Sequence, residues 1–112
     1  MTLRVGCDIV SISIFQERLS ETGDLLPARI FHPSERTNAT AERLAGLFAA
    51  KESVFKALGM TAGAWQQLCI DHDQTGAPVV CFMEPKPWVK EITLSISHNN
   101  DYAFAVVAAI VE

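Results

Sequence analysis

Phe48-Ala49-Ala50-Lys51-Glu52-Ser53-Val54-Phe55-Lys56-Ala57-Leu58-Gly59 puts two lysines and a glutamate into an otherwise apolar segment that stops at a glycine. Extended back to Ala41, the large apolar residues Leu44, Leu47, Phe48, Val54, Phe55 and Leu58 recur at helical spacing. Residues Ala41–Leu58 therefore read as a long helix, with Asn38 or Thr40 as its N-cap and Gly59 as a left-handed stop. It is the expected spine of the fold. Lys51, Glu52 and Lys56 fall where this helix meets its core, and an unpaired buried charge is very costly. Each needs an opposite charge or a polar ligand, and a phosphate with its metal ion supplies both signs.

Outward from the helix, Leu3, Val5, Cys7 and Ile9 alternate with Arg4, Gly6 and Asp8, a first strand that Asp8 leaves near its end. Ser13–Leu19 carries a short helical pattern, and Arg29-Ile30-Phe31 opens a second short helix that His32-Pro33 stops. Gln67–Ile70 and Pro78–Phe82 read as a hairpin joined by the polar stretch Asp71–Ala77, which contains the turn residue Gly76. Glu84-Pro85-Lys86-Pro87 is a surface loop, because neither proline fits a helix interior or a central strand. Ile92–His98 and Tyr102–Val111 form a final antiparallel pair turning through Asn99-Asn100-Asp101. The expected fold is α+β: one small domain, residues 1–112, with an antiparallel sheet packed on the long helix.

With 112 residues, 49% of them hydrophobic, the chain has material for one core and not two. Nine basic against thirteen acidic residues give a net charge of −4, which argues against a nucleic-acid partner. Seven of the nine basic residues lie at or before Lys56, so an anionic ligand is expected to meet that half. Cys7, Cys69 and Cys81 are odd in number and lack C-x-x-C spacing, so they read as reduced thiols. No leader pattern is present and no apolar run approaches the roughly 20 residues that span a bilayer. A cytoplasmic protein with no membrane partner is expected.

Magnesium takes only one or two protein carboxylates, the rest of its shell coming from water and phosphate oxygens. Asp8 and Glu52 match that count if the helix packs beside the end of the first strand. Lys56, one turn beyond Glu52, shares its face and reaches the same phosphate. Lys51 points about 100° away, toward another part of the ligand or a neighbouring subunit. Ser97 and His98 face opposite ways within a strand, and only the turn at Asn99 brings both onto one ligand.

Gly6-Cys7-Asp8-Ile9-Val10, Leu44–Glu52 with Lys56-Ala57-Leu58-Gly59, and Leu94-Ser95-Ile96-Ser97-His98 together resemble the short bacterial holo-acyl carrier protein synthases, a family of 4'-phosphopantetheinyl transferases. The resemblance runs from about Val5 to about Val107. It implies transfer of the phosphopantetheine arm of coenzyme A to a serine of an apo acyl carrier protein. Asp8 and Glu52 match the family's ligands for Mg2+, and Lys56 matches a lysine at the pyrophosphate. Lys51, Gly76, Pro78, Ser97 and His98 match positions near the coenzyme. The proton acceptor is Lys56, Glu52 or a metal-bound water. The resemblance also implies a homotrimer with sites between subunits, and a first helix, here bearing Arg18, that meets the carrier.

Departures from that pattern stand beside it. Leu47 occupies the place of a usual arginine, Ala77 that of a lysine, and Ser11 that of an acid. They keep open a second reading, a non-catalytic coenzyme A-binding or oligomeric interaction protein. Read singly, Glu52 and Lys56 are an i,i+4 pair worth about 0.2–0.5 kcal/mol. Asp71, His72 and Asp73 read as a solvated loop, and Trp65, Trp88 and Phe104 as packing.

Overall fold

A computed structural model describes residues 1–112. Strand β1 (Thr2–Ser11) leads into helices α1 (Ile12–Thr22), α2 (Leu25–Ile30) and α3 (Pro33–Arg36), then the long helix α4 (Ala41–Leu58). A 3-10 turn (Trp65–Gln67) precedes the hairpin of β2 (Leu68–His72) and β3 (Pro78–Phe82), and β4 (Val89–Asn99) and β5 (Tyr102–Val111) close the chain. The three-stranded sheet has the order β1-β5-β4 and is antiparallel throughout. The α+β expectation, with its antiparallel sheet on a long helix, is what the chain adopts.

Helix α4 is capped as its ends predict. Thr40 Oγ1 accepts a hydrogen bond from Arg43 N at 3.1 Å, and Gly59 adopts φ 66°. Pro33 behaves differently from expectation. It opens α3 with His32 as N-cap, and α2 has already ended at Ile30. A proline's fixed φ and missing N–H suit the first position of a helix, where no donor is needed.

The sheet's inner face explains how closely α4 lies on it. Ala103, Ala105, Val107 and Ala109 of β5 are buried at alternate positions, which leaves little side-chain bulk between helix and sheet. Gly6, opposite Val107, sits still closer: a Cβ there would lie 2.1 Å from Ser53 O and 2.7 Å from Ala57 N. Ser53 Oγ hydrogen-bonds to Ala49 O of its own helix and Ala105 O of the sheet. This contact brings Asp8, two residues on, alongside the last turns of α4.

The outer face of the same sheet is apolar and open. Leu3, Val5, Ile9, Tyr102 and Phe104 are 40 to 67% exposed, so Phe104 lies outside the core. Trp88 is 37% exposed, whereas Trp65 packs on Phe48 beside the core. No helix is long and apolar enough to cross a membrane.

Candidate active site

Lys56 anchors the first cluster. Its Nζ donates to Cys7 O at 2.9 Å and to Asp8 Oδ1 at 3.1 Å, joining the last turn of α4 to β1. Glu52, one turn earlier, lines with Asp8, Ile14, Phe15, Arg18 and Phe48 an open cleft of about 370 Å³. Burial, and secondarily the negative charge of Asp8, pushes the Glu52 carboxyl above the usual range, against weaker pulls from Trp65 and Lys56. The Trp65 indole N–H is buried and forms no hydrogen bond.

Two carboxylates that repel one another across an open cleft suit a divalent cation. No three His, Cys, Asp or Glu side chains are grouped so as to hold a metal ion between them. The pair therefore fits an ion such as magnesium, which completes its shell with water and phosphate, and not a fully caged metal.

Arg18 reaches this cleft from α1, whose start is tied down by the β4–β5 turn. Asp101 accepts from Ser11 Oγ and Ser13 Oγ at 2.7 Å and from Ser13 N at 2.9 Å. Those hydrogen bonds hold its carboxyl below the usual range.

Lys51 requires correction. It is fully buried, and its Nζ donates to Ile30 O at 2.7 Å, Glu35 Oε1 at 2.8 Å and Trp65 O at 3.2 Å. An ammonium has only three N–H groups, so none is left for coenzyme or a neighbouring subunit. Burial lowers its pKa, partly offset by the hydrogen bond and charge of Glu35. Glu35 also accepts from His32 N and Ile70 N, each at 2.8 Å. The pair thus fastens α3 and the β2–β3 hairpin to α4.

The hairpin roofs a second, larger cleft of about 470 Å³, bounded by α4 and β4. Gly76, Pro78 and His98 line it together with Thr40, Glu42, Arg43 and His72. The His98 ring donates through Nε2 to Glu42 O at 3.1 Å, and its Nδ1 lies 4.0 Å from Glu42 Oε1. Gly46 makes room for that ring, since a Cβ would sit 2.8 Å from His98 Nε2. Leu47, 2% exposed, lies against the same cleft and contributes no charge.

Ser97 is not brought to this cleft. Ser97 lies on the outer face beside Ile9, Tyr102 and Phe104, in a smaller pocket of about 250 Å³ that His98 joins at the Asn99–Asn100 turn. Within one chain it shares no ligand with Gly76 and Pro78.

Arg43 is one of the basic residues before Lys56 expected to meet an anionic ligand, whereas His72 reads in the sequence as solvated loop. A signal for His72 existed: Leu68 and Ile70 are buried at alternate positions, and His72 continues that parity. Asp73, by contrast, folds onto its own loop, accepting from Thr75 and Ala77, and those bonds lower its pKa.

A family model described as the 4'-phosphopantetheinyl transferase superfamily matches residues 4–107. The holo-[acyl-carrier-protein] synthase of Moorella thermoacetica is 39% identical over 98% of this chain and 94% of its own length. That of Caldanaerobacter subterraneus is 36% identical over 98% and 96%. Among solved structures, Helicobacter pylori holo-[acyl-carrier-protein] synthase in complex with coenzyme A superposes with a TM-score of 0.89 at 28% identity, over 95% of this chain and 99% of that one. The Chronobacterium ammoniagenes ACPS–CoA complex superposes at 0.84, also at 28% identity, over 100% and 99%.

Proposed function

The chain belongs to the 4'-phosphopantetheinyl transferase superfamily, and we propose that its two clefts serve the reaction of the holo-[acyl-carrier-protein] synthases it resembles. The protein moves the 4'-phosphopantetheine arm of coenzyme A onto a serine of an apo acyl carrier protein. The serine oxygen bonds to the phosphorus bearing the pantetheine arm. The bond from that phosphorus to the bridging oxygen breaks, and adenosine 3',5'-bisphosphate leaves with the electron pair. The observation that carries this reading is the convergence of Asp8, Glu52 and Lys56 on one edge of the molecule.

Asp8 and Glu52 would hold Mg2+, which when bound supplies Lewis-acid stabilisation of charge on the pyrophosphate oxygens. Lys56, 57% exposed, is free to turn its ammonium from Asp8 toward the same oxygens. The serine proton passes to Glu52 or to a water that it holds. Gly76, Pro78 and His98 would seat the nucleotide. Gly46 and Glu52 are six residues apart, about 9 Å along a helix axis, so one extended ligand can reach from cleft to cleft.

The apolar outer face of the sheet supports a homotrimer as the working form, since such a patch on one chain calls for cover by another. Ser97 lies at its edge, where a neighbouring copy would bring it to a shared site. Light scattering that returns a monomer would remove this assignment. The three free thiols accord with a reducing, cytoplasmic setting. Arg18, at the rim of the Asp8 cleft, is the residue assigned to the acidic carrier of fatty-acid synthesis or of a dedicated pathway.

Intact-mass spectrometry tests the reading. An apo acyl carrier protein incubated with the protein, coenzyme A and magnesium should gain one phosphopantetheine. Asp8→Ala should abolish the gain, and Arg18→Glu should raise the carrier concentration required. No gain with any carrier in a panel from several pathways would leave the non-catalytic reading in its place.

A further inference from the structure

Only two residues lining the larger cleft carry a fixed charge, Glu42 and Arg43, and they cancel. A phosphate monoester carries about −1.5 to −2 charges at neutral pH, so a cleft with no net positive charge offers it a poor seat. The two histidines are the remaining side chains there with ring N–H donors for a phosphate. His98 is already committed, one nitrogen to the Glu42 carbonyl and the other near the Glu42 carboxylate.

His72 is not committed. Its backbone N–H is satisfied by Asp71 Oδ1 at 2.8 Å, and neither ring nitrogen has a partner within the chain. It pairs with Pro78 across the hairpin, and directly opposed residues of an antiparallel pair share a face, so both come to the cleft. The nearby hairpin carboxylates do not cancel it by direct pairing. Asp73 is turned onto Thr75 and Ala77, and no ion pair joins Asp71 to the imidazole.

We infer that His72, with Arg43 on the facing helix, recognises the 3'-phosphate of coenzyme A and makes the protein select it over dephospho-coenzyme A. This rests on the transferase reading, which assigns the pyrophosphate to the Asp8–Lys56 end and leaves the 3'-phosphate as the coenzyme's other anionic group. His72 is then a specificity residue, placed by a hairpin that the Lys51–Glu35 pair fastens down.

Calorimetric titration of the full chain with coenzyme A and with dephospho-coenzyme A tests the assignment. Wild type should prefer coenzyme A by about tenfold, the scale of one charge-assisted contact. His72→Ala should cut that preference to about threefold or less by weakening coenzyme A alone, and His72→Arg should keep it. Retained preference in His72→Ala, or equal weakening of both ligands, would overturn the inference. Wild type that binds both equally would overturn it and leave the transferase reading standing. Wild type that binds neither would overturn both.

Discussion

Lys51 and Lys56 lie on one helix, each paired with a carboxylate, and they do opposite work. The Lys51–Glu35 pair closes at 2.8 Å with side chains 0% and 1% exposed. The Lys56–Asp8 pair sits at 3.1 Å with side chains 57% and 19% exposed. Five residues turn the second lysine about 140° from the first, so Lys51 faces the interior under α2 and α3 while Lys56 faces the end of β1. The buried pair has spent every donor on the fold. The open one keeps its ammonium available, and solvent lowers the cost of changing partner.

The strongest way to break the comparison is at the buried end. Lys51→Met should destabilise the protein by about 3–5 kcal/mol in urea unfolding, because Glu35 is left buried without its counter-charge. The double variant Lys51→Met, Glu35→Leu should recover most of that loss. A loss under about 1 kcal/mol in the single variant would mean the two pairs are equivalent after all.

At the open end the balance reverses. Lys56→Met should lower kcat for phosphopantetheine transfer by about a hundredfold, the scale of removing one charge-stabilising donor. Its unfolding free energy should stay within about 1 kcal/mol of wild type. Unchanged kcat would take Lys56 out of the reaction.

The smallest effect sharpens the role of Glu52. Its carboxyl is raised above its unfolded value by burial and by Asp8, so the folded state holds that proton more tightly than the unfolded state does. The protonated form's stabilising contribution is complete below the unfolded pKa and is lost as pH rises through the folded one. Glu52→Gln should therefore melt higher than wild type at pH 8 and equal to it near pH 4, in metal-free buffer. Magnesium at pH 8 should raise the wild-type Tm and leave Glu52→Gln nearly unmoved. A wild type indifferent to magnesium would count against a metal at Asp8 and Glu52.

Much of this was legible in the chain. The bounds of α4 followed from apolar spacing between Thr40 and Gly59, because a helix advertises its buried stripe and its ends through local chemistry. The hairpin and the closing strand pair followed from alternation and turn residues in the same way. Pro33 misled because a proline that ends one helix and one that opens the next look alike in sequence. His72 was passed over as loop, although its parity with Leu68 and Ile70 pointed inward.

The sequence by itself determined α4 with its two ends, the hairpin and the closing strand pair, since those depend on spacing and local propensity, while the meeting of Asp8 with the Glu52–Lys56 face waited on how the helix packs. Tertiary structure alone decided which lysine belongs to the core and which to the cleft. It also kept Ser97 out of the second cleft and set His72 over it. Those assignments depend on which groups from distant segments arrive at hydrogen-bonding distance. Glu35 comes to Lys51 from sixteen residues away and Cys7 to Lys56 from forty-nine, and no local pattern records such a meeting.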